Sequence, residues 1–191
     1  MAVDRKRDVL IVVDLQPDFM PGGPLAVGDG ERIAAPIGRL AACFSTVVAT
    51  QDWHPAGHVS FHERGGPWPP HCLAGSAGAE VHRALPEELV TLKLRKGTGE
   101  DIDSYSGFRD DAGAATGLAG YLRERGVERL FVCGLARDFC VRATALDGTR
   151  AGFRVFVVDD LTRAVDPASR ADVDREFADA GVKLINSTEL M

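Results

Sequence analysis

Six short apolar runs rich in β-branched residues recur along the chain, at residues 9–13, 46–50, 90–94, 129–133, 154–158 and, more weakly, 182–185. Runs of this length read as buried strands. Four stretches with helical spacing of apolar residues lie between or after them, at residues 30–44, 116–125, 138–151 and 168–180. Strands that alternate with helices cannot pair as hairpins, so the pattern predicts a mostly parallel central sheet with helices on both faces, a three-layer α/β sandwich. At 191 residues with 45% hydrophobic content, the chain can bury one sizeable core, and a single domain over 1–191 is expected.

A parallel sheet also says where to look for function, because ligands bind beyond the carboxyl ends of its strands. Asp14 ends the first run, Asp52 and His54 follow the second, Lys96 ends the third, and the turn from Gly134 to Cys140 follows the fourth. Four strands therefore deliver ionisable or nucleophilic groups to one edge. Two segments, 14–30 and 52–70, interrupt the alternation with Gly, Pro, Asp and His, and long irregular loops in a compact domain are usually functional. In the second, Pro67, Pro69 and Pro70 stiffen the backbone around Trp68.

Cys140 lies at a strand-to-helix turn, where a helix N-terminus lowers a thiol pKa and an exposed turn presents the sulfur to substrate. Cys133, within a strand, and Cys43, on a helix, read as structural thiols. Asp14 emerges from four apolar residues, so its carboxyl pKa is expected to be raised, as suits a general base. With Lys96, these groups supply a nucleophile, a proton shuttle and a cation. Four of the five histidines fall between positions 54 and 71. The set Asp52, His54 and His71 offers mixed oxygen and nitrogen ligands for one divalent ion such as Zn, Mn or Fe, with His58, Ser60 or Glu63 near enough to add another.

The formal net charge of −6 argues against a nucleic-acid partner, which needs a concentrated basic surface. No apolar run is long enough to span a bilayer, and residues 1–8 alternate charges instead of leading into a signal-peptide core, so no membrane partner and a cytoplasmic location are expected. Four cysteines without a CxxC pair are expected to be reduced. The oligomeric state is left open, a homo-oligomer included.

Read together, Val13-Asp14-Leu15-Gln16-Pro17-Asp18-Phe19, Gln51-Asp52-Trp53-His54-Pro55, Trp68-Pro69-Pro70-His71-Cys72, Lys96-Gly97, Tyr105-Ser106-Gly107-Phe108 and Gly134-Leu135-Ala136 with Asp138-Phe139-Cys140-Val141 resemble the nicotinamidase/pyrazinamidase branch of the isochorismatase-like cysteine hydrolases. The resemblance implies hydrolysis of nicotinamide to nicotinate and ammonia, feeding NAD salvage, through a thioester on Cys140. It implies a triad of Asp14, Lys96 and Cys140, a metal held by Asp52, His54 and His71, with His58 first among the further candidates, and an oxyanion hole from the Ala136 and Cys140 amides. It further implies a cis peptide before Ala136 and a substrate ring flanked by Phe19, Trp68 and Tyr105. Arg137, where many relatives carry Thr, and the acidic loop 98–104 are expected to bear on substrate preference. Two rivals stand beside this reading: a related hydrolase acting on another small amide, and a metal-binding thiol redox sensor in which Cys72 would be the resolving cysteine.

Overall fold

The computed structural model describes residues 2–191. Met1, at the edge of the expected domain, lies outside the described residues. Strands β1 (Asp8–Val13), β2 (Val47–Asp52), β3 (Leu92–Lys96), β4 (Arg129–Leu135), β5 (Arg154–Arg163) and β6 (Lys183–Ile185) form one sheet in the order β3-β2-β1-β4-β5-β6. Every pairing is parallel. Helix α1 (Gly30–Ala41) covers one face, and α2 (Leu118–Glu124), α3 (Arg142–Arg150) and α4 (Arg170–Asp179) the other. The three-layer expectation holds, and the sheet is parallel throughout.

Strand periodicity explains the two cores. In β1, Leu10 and Val12 face the layer that holds Ile33, Ile37 and Leu40 of α1, while Val9, Ile11 and Val13 face Leu122, Ala145 and Phe177 on the other helices. A strand buried on both sides has no polar face, which is why β1 reads as an unbroken apolar run. Among the described residues, no helix is long and apolar enough to cross a membrane.

The boundaries differ from the sequence reading where polar residues carry the pairing. Edge strand β3 starts two residues later than expected, because Val90 is taken into the turn that follows Glu87–Leu89, and it runs on to Lys96. Its ladder sets Asp52 directly opposite Lys96. The helix expected from residue 138 begins instead as a π-helical turn, Arg137–Val141, before α3, a wide turn that is frequent at functional sites. Strand β5 continues five residues past the expected end, beyond a register shift between Val132 and Gly134 of its partner.

The strand order reverses between β1 and β4, and their pairing ends there at residues of positive φ, while β4 stays paired with β5 to Leu135. Asp14 has φ of 46°, in the left-handed region that non-glycine residues avoid. Gly134 has φ of 111°, and a Cβ there would sit 2.0 Å from the Val13 carbonyl oxygen. Only glycine lets the two strands diverge this tightly. Gly134→Ala is therefore expected to destabilise the fold by about 3 kcal/mol, read as a lower denaturation midpoint in urea; an unchanged midpoint would contradict the close approach.

Candidate active site

Asp14, Asp52, Lys96 and Cys140 come from four different strand ends and meet below a narrow cleft. Its lining includes Phe19, Trp68, His71, Tyr105, Ala136 and Phe139. Lys96 is the hub. Its buried ammonium donates to Asp52 Oδ1 at 2.5 Å, to the Ser104 carbonyl at 3.1 Å and to Cys140 Sγ at 3.3 Å, and lies 2.9 Å from Asp14 Oδ2. The Cys140 sulfur and one oxygen each from Asp14 and Asp52 all fall within 4.8 Å of one another.

One ammonium cannot neutralise two carboxylates and a thiolate, and the four groups divide accordingly. Burial would lower the Lys96 pKa, but Asp14, Asp52 and Cys140 outweigh it and hold the amine firmly charged. Burial would raise Asp52 too, yet Lys96, His54 and His71 keep its carboxyl below the usual range. Asp14 goes the other way: burial raises it, Lys96 and the Thr50 hydroxyl offset only part of that, and the Asp52 charge adds to it. The two carboxyls are thus pushed in opposite directions, Asp14 upward and Asp52 downward.

Cys140 departs from its expectation. It is buried in the π-helical turn, only 6% exposed, and burial pushes its thiol well above the ordinary range despite Lys96. The sulfur lies within 4.8 Å of an oxygen of Asp14 and of Asp52. Asp14 Oδ1 is held by Thr50, whereas Oδ2 lies 2.9 Å from the Lys96 ammonium, on the side of the carboxylate that faces Cys140.

On the other side of Asp52, Oδ2 lies 3.7 Å from His54 Nε2 and 3.9 Å from His71 Nε2. Each imidazole has its Nδ1 tied to a backbone carbonyl, His54 to Gly97 at 2.9 Å and His71 to Pro69 at 2.8 Å. With Nδ1–H donating, each Nε2 lone pair is free and aimed at the same point, the orientation that supports a metal-ligating histidine. One buried carboxylate oxygen and two such nitrogens suit a divalent ion.

Among the further ligands expected, His58 lies against the cluster, its ring tilted over His54 at 4.1 Å between centroids, with Nδ1 2.8 Å from Ser60 Oγ and Nε2 3.2 Å from the Ile102 carbonyl. Ser60 is occupied by the same contact, and Glu63 is exposed on a short turn.

Phe19, Trp68 and Tyr105 all line the cleft, and Trp68 Nε1 donates to the Tyr105 hydroxyl at 3.0 Å, which locks the two side chains together. Ala136 and Cys140 line it as well, and the peptide before Ala136 is cis. Arg137 does not face this cleft. Its buried guanidinium spans Asp159, Asp174 and Thr162, an ion network behind the π-helical turn, which removes the ground for reading it as a specificity residue. In the acidic loop, Glu100 and Asp101 face Arg64, and Asp103 caps Ser104. Cys72, the resolving-thiol candidate, is fully buried in the apolar core with its pKa raised by burial, an environment for an inert sulfur.

Several residues of the site had no role in the sequence reading. Gln16 is a buried clamp: its amide donates to the carbonyls of Asp52 and Ala79, and its oxygen accepts the Asp52 amide at 2.9 Å. Asp18 accepts the Cys72 amide and so fastens the first long loop to the segment that carries His71. Asp138 accepts the amides of Val165 and Asp166, bringing Val165 to the cleft wall, and Phe139 packs edge-on to Trp68 at 4.9 Å. Gln16, Asp18, Asp138 and Phe139 all sit in motifs visible in the sequence, but partners 27 or more residues distant decide what they do.

The chain belongs to the isochorismatase family: the model of the isochorismatase domain matches residues 8–189. Its relatives include a nicotinamidase of Acinetobacter baylyi, 42% identical over 95% of this chain and 94% of that protein. A nicotinamidase/pyrazinamidase of Mycobacterium tuberculosis is 39% identical over 94% and 98%. Among solved structures, a protein from L. infantum in complex with nicotinate superposes with a TM-score of 0.98 at 47% identity, covering 100% of this chain and 98% of that one. A pyrazinamidase of Pyrococcus horikoshii in complex with zinc gives 0.86 at 41%, covering 94% and 99%.

Gly97 offers a test of the histidine geometry. Its φ is 61°, and a Cβ would sit 2.4 Å from the His54 ring. Gly97→Ala should turn that ring away from Asp52 and weaken zinc binding about 10- to 100-fold, measured by competition with a chromophoric chelator. Unchanged zinc affinity would show that His54 is not held through this contact.

Proposed function

We propose that the chain is an amidohydrolase that converts nicotinamide to nicotinate and ammonia, and acts also on pyrazinamide, through a thioester on Cys140. The observation that carries the reading is the junction of two sets of groups at Asp52: a thiol, a carboxylate and an ammonium on one side, and two free imidazole nitrogens on the other. The nicotinamidase and nicotinamidase/pyrazinamidase relatives, the similar structure that holds nicotinate and the pyrazinamidase that holds zinc support the same substrate class and a divalent ion.

Asp14 Oδ2 takes the Cys140 proton, with Lys96 stabilising the thiolate as it forms. The sulfur attacks the carboxamide carbon, and the amide π-electrons move to oxygen, where the Ala136 and Cys140 N–H groups stabilise the anion. As the carbonyl reforms, the C–N bond breaks and Asp14 returns its proton to the departing ammonia. A water then gives a proton to Asp14 and attacks the thioester. Collapse breaks the C–S bond, restores the Cys140 thiol and releases the carboxylic acid. The sum is one amide and one water to one acid and one ammonia.

Asp52, His54 and His71 would hold a divalent ion of the Zn, Mn or Fe type, which when bound would anchor the pyridine ring nitrogen as a Lewis acid. Phe19, Trp68 and Tyr105 flank the ring and keep the amide end over Cys140, so that binding energy from the ring is spent on orientation. The raised Asp14 pKa fits this order of events, because a more basic carboxylate lowers the cost of taking the proton from the Cys140 thiol.

The purified protein should release ammonia from nicotinamide. Cys140→Ala should lose at least about a thousandfold in rate. Stripping with chelator should cost at least about tenfold, restored by Mn, Fe or Zn. Absence of release from every metal-loaded form would overturn the nicotinamidase reading and direct attention to other small amides.

A further inference from the structure

We propose that Thr50 is the positioning residue for the general base, an inference that rests on the reading of Asp14 as the base for Cys140. Thr50 lies on β2, beside the end of β1, and is 1% exposed. Its hydroxyl makes two bonds to the same neighbour: it accepts the Asp14 backbone N–H at 3.2 Å and donates to Asp14 Oδ1 at 2.6 Å. A hydroxyl is the smallest side-chain group that gives and receives at one atom.

The two bonds act on the two degrees of freedom that matter. The first fixes a backbone that stands at φ of 46°, outside the regions a non-glycine residue adopts freely. The second occupies Oδ1, so the carboxylate plane is set and Oδ2 is the oxygen left on the side of Lys96 and Cys140. Without the hydroxyl, Oδ1 loses its donor and nothing at this contact fixes which carboxylate oxygen is presented to Cys140. Thr50 is itself held in one rotamer. It is β-branched, and its Cγ2 packs against Gly107, where even a Cβ would come within 3.2 Å. Gly107 in turn donates its amide to Thr144 Oγ1, so the support extends from β3's following loop to α3.

The test compares Thr50→Val, which keeps the shape and removes both hydrogen bonds, with Thr50→Ser, which keeps both and removes the methyl group. In zinc-loaded protein with nicotinamide, Thr50→Val is expected to lose at least about tenfold in kcat with KM within about twofold, and Thr50→Ser to recover kcat to within about threefold. Alkylation of Cys140 by iodoacetamide, followed by intact mass, should show the same order without relying on any amide turnover. Retention of kcat and alkylation rate in Thr50→Val, or equal losses in both variants, would overturn the proposal. If the parent protein released no ammonia, the nicotinamidase reading would fall and the alkylation rates would still decide the role of Thr50.

Discussion

The ammonium of Lys96 is the charge on which the site depends. It stands at the last ladder position of an edge strand, opposite Asp52, and it is out of contact with water. Around it are two carboxylates, a thiol and a carbonyl from four other segments. Burying an ion is tolerated only where partners replace its hydration, and removing one partner of a buried pair typically costs about 3–5 kcal/mol. Lys96 thus draws the ends of β1, β2 and β4 to one point.

Because one positive charge faces two carboxylates, the carboxylates cannot be equivalent. Asp52 also faces His54 and His71 and stays ionised, while Asp14, supported by a neutral hydroxyl, becomes the group able to carry a proton. Asp52 joins the thiol half of the site to the imidazole half, and in the mechanism we propose Asp14 serves the sulfur. A buried thiol with a raised pKa is suited to this, since it is ionised only when a neighbouring base accepts its proton.

Much of this was legible in the sequence because the sheet supplies the coordinates. Parallel strands expose their carboxyl ends on one edge, so residues as distant as Asp14 and Cys140 are placed together by counting strands alone. The apolar runs marked those strands well where both faces are buried, as in β1, and less well in β3, where Leu92 and Leu94 alternate with Lys93 and Arg95. The exposed, helix-activated thiol was the wrong picture for Cys140, since π-helical geometry and burial have no one-dimensional signature. Arg137 was misread for a related reason: its partners, Asp159 and Asp174, are set by the packing of β5 and α4. Gln16 and Thr50 were passed over because a neutral polar residue shows its role only through the groups it touches.

On the proposed reading, Lys96 sets the ionisation of its neighbours and thereby the reactivity of Cys140. This is tested most directly by the rate at which iodoacetamide alkylates Cys140 in the parent protein and in Lys96→Gln, with near-UV circular dichroism confirming that both are folded. Alkylation is expected to slow at least about tenfold in Lys96→Gln, because the thiolate loses its cation and faces two carboxylates alone. An equal or faster rate would mean that Cys140 owes its reactivity to some other group.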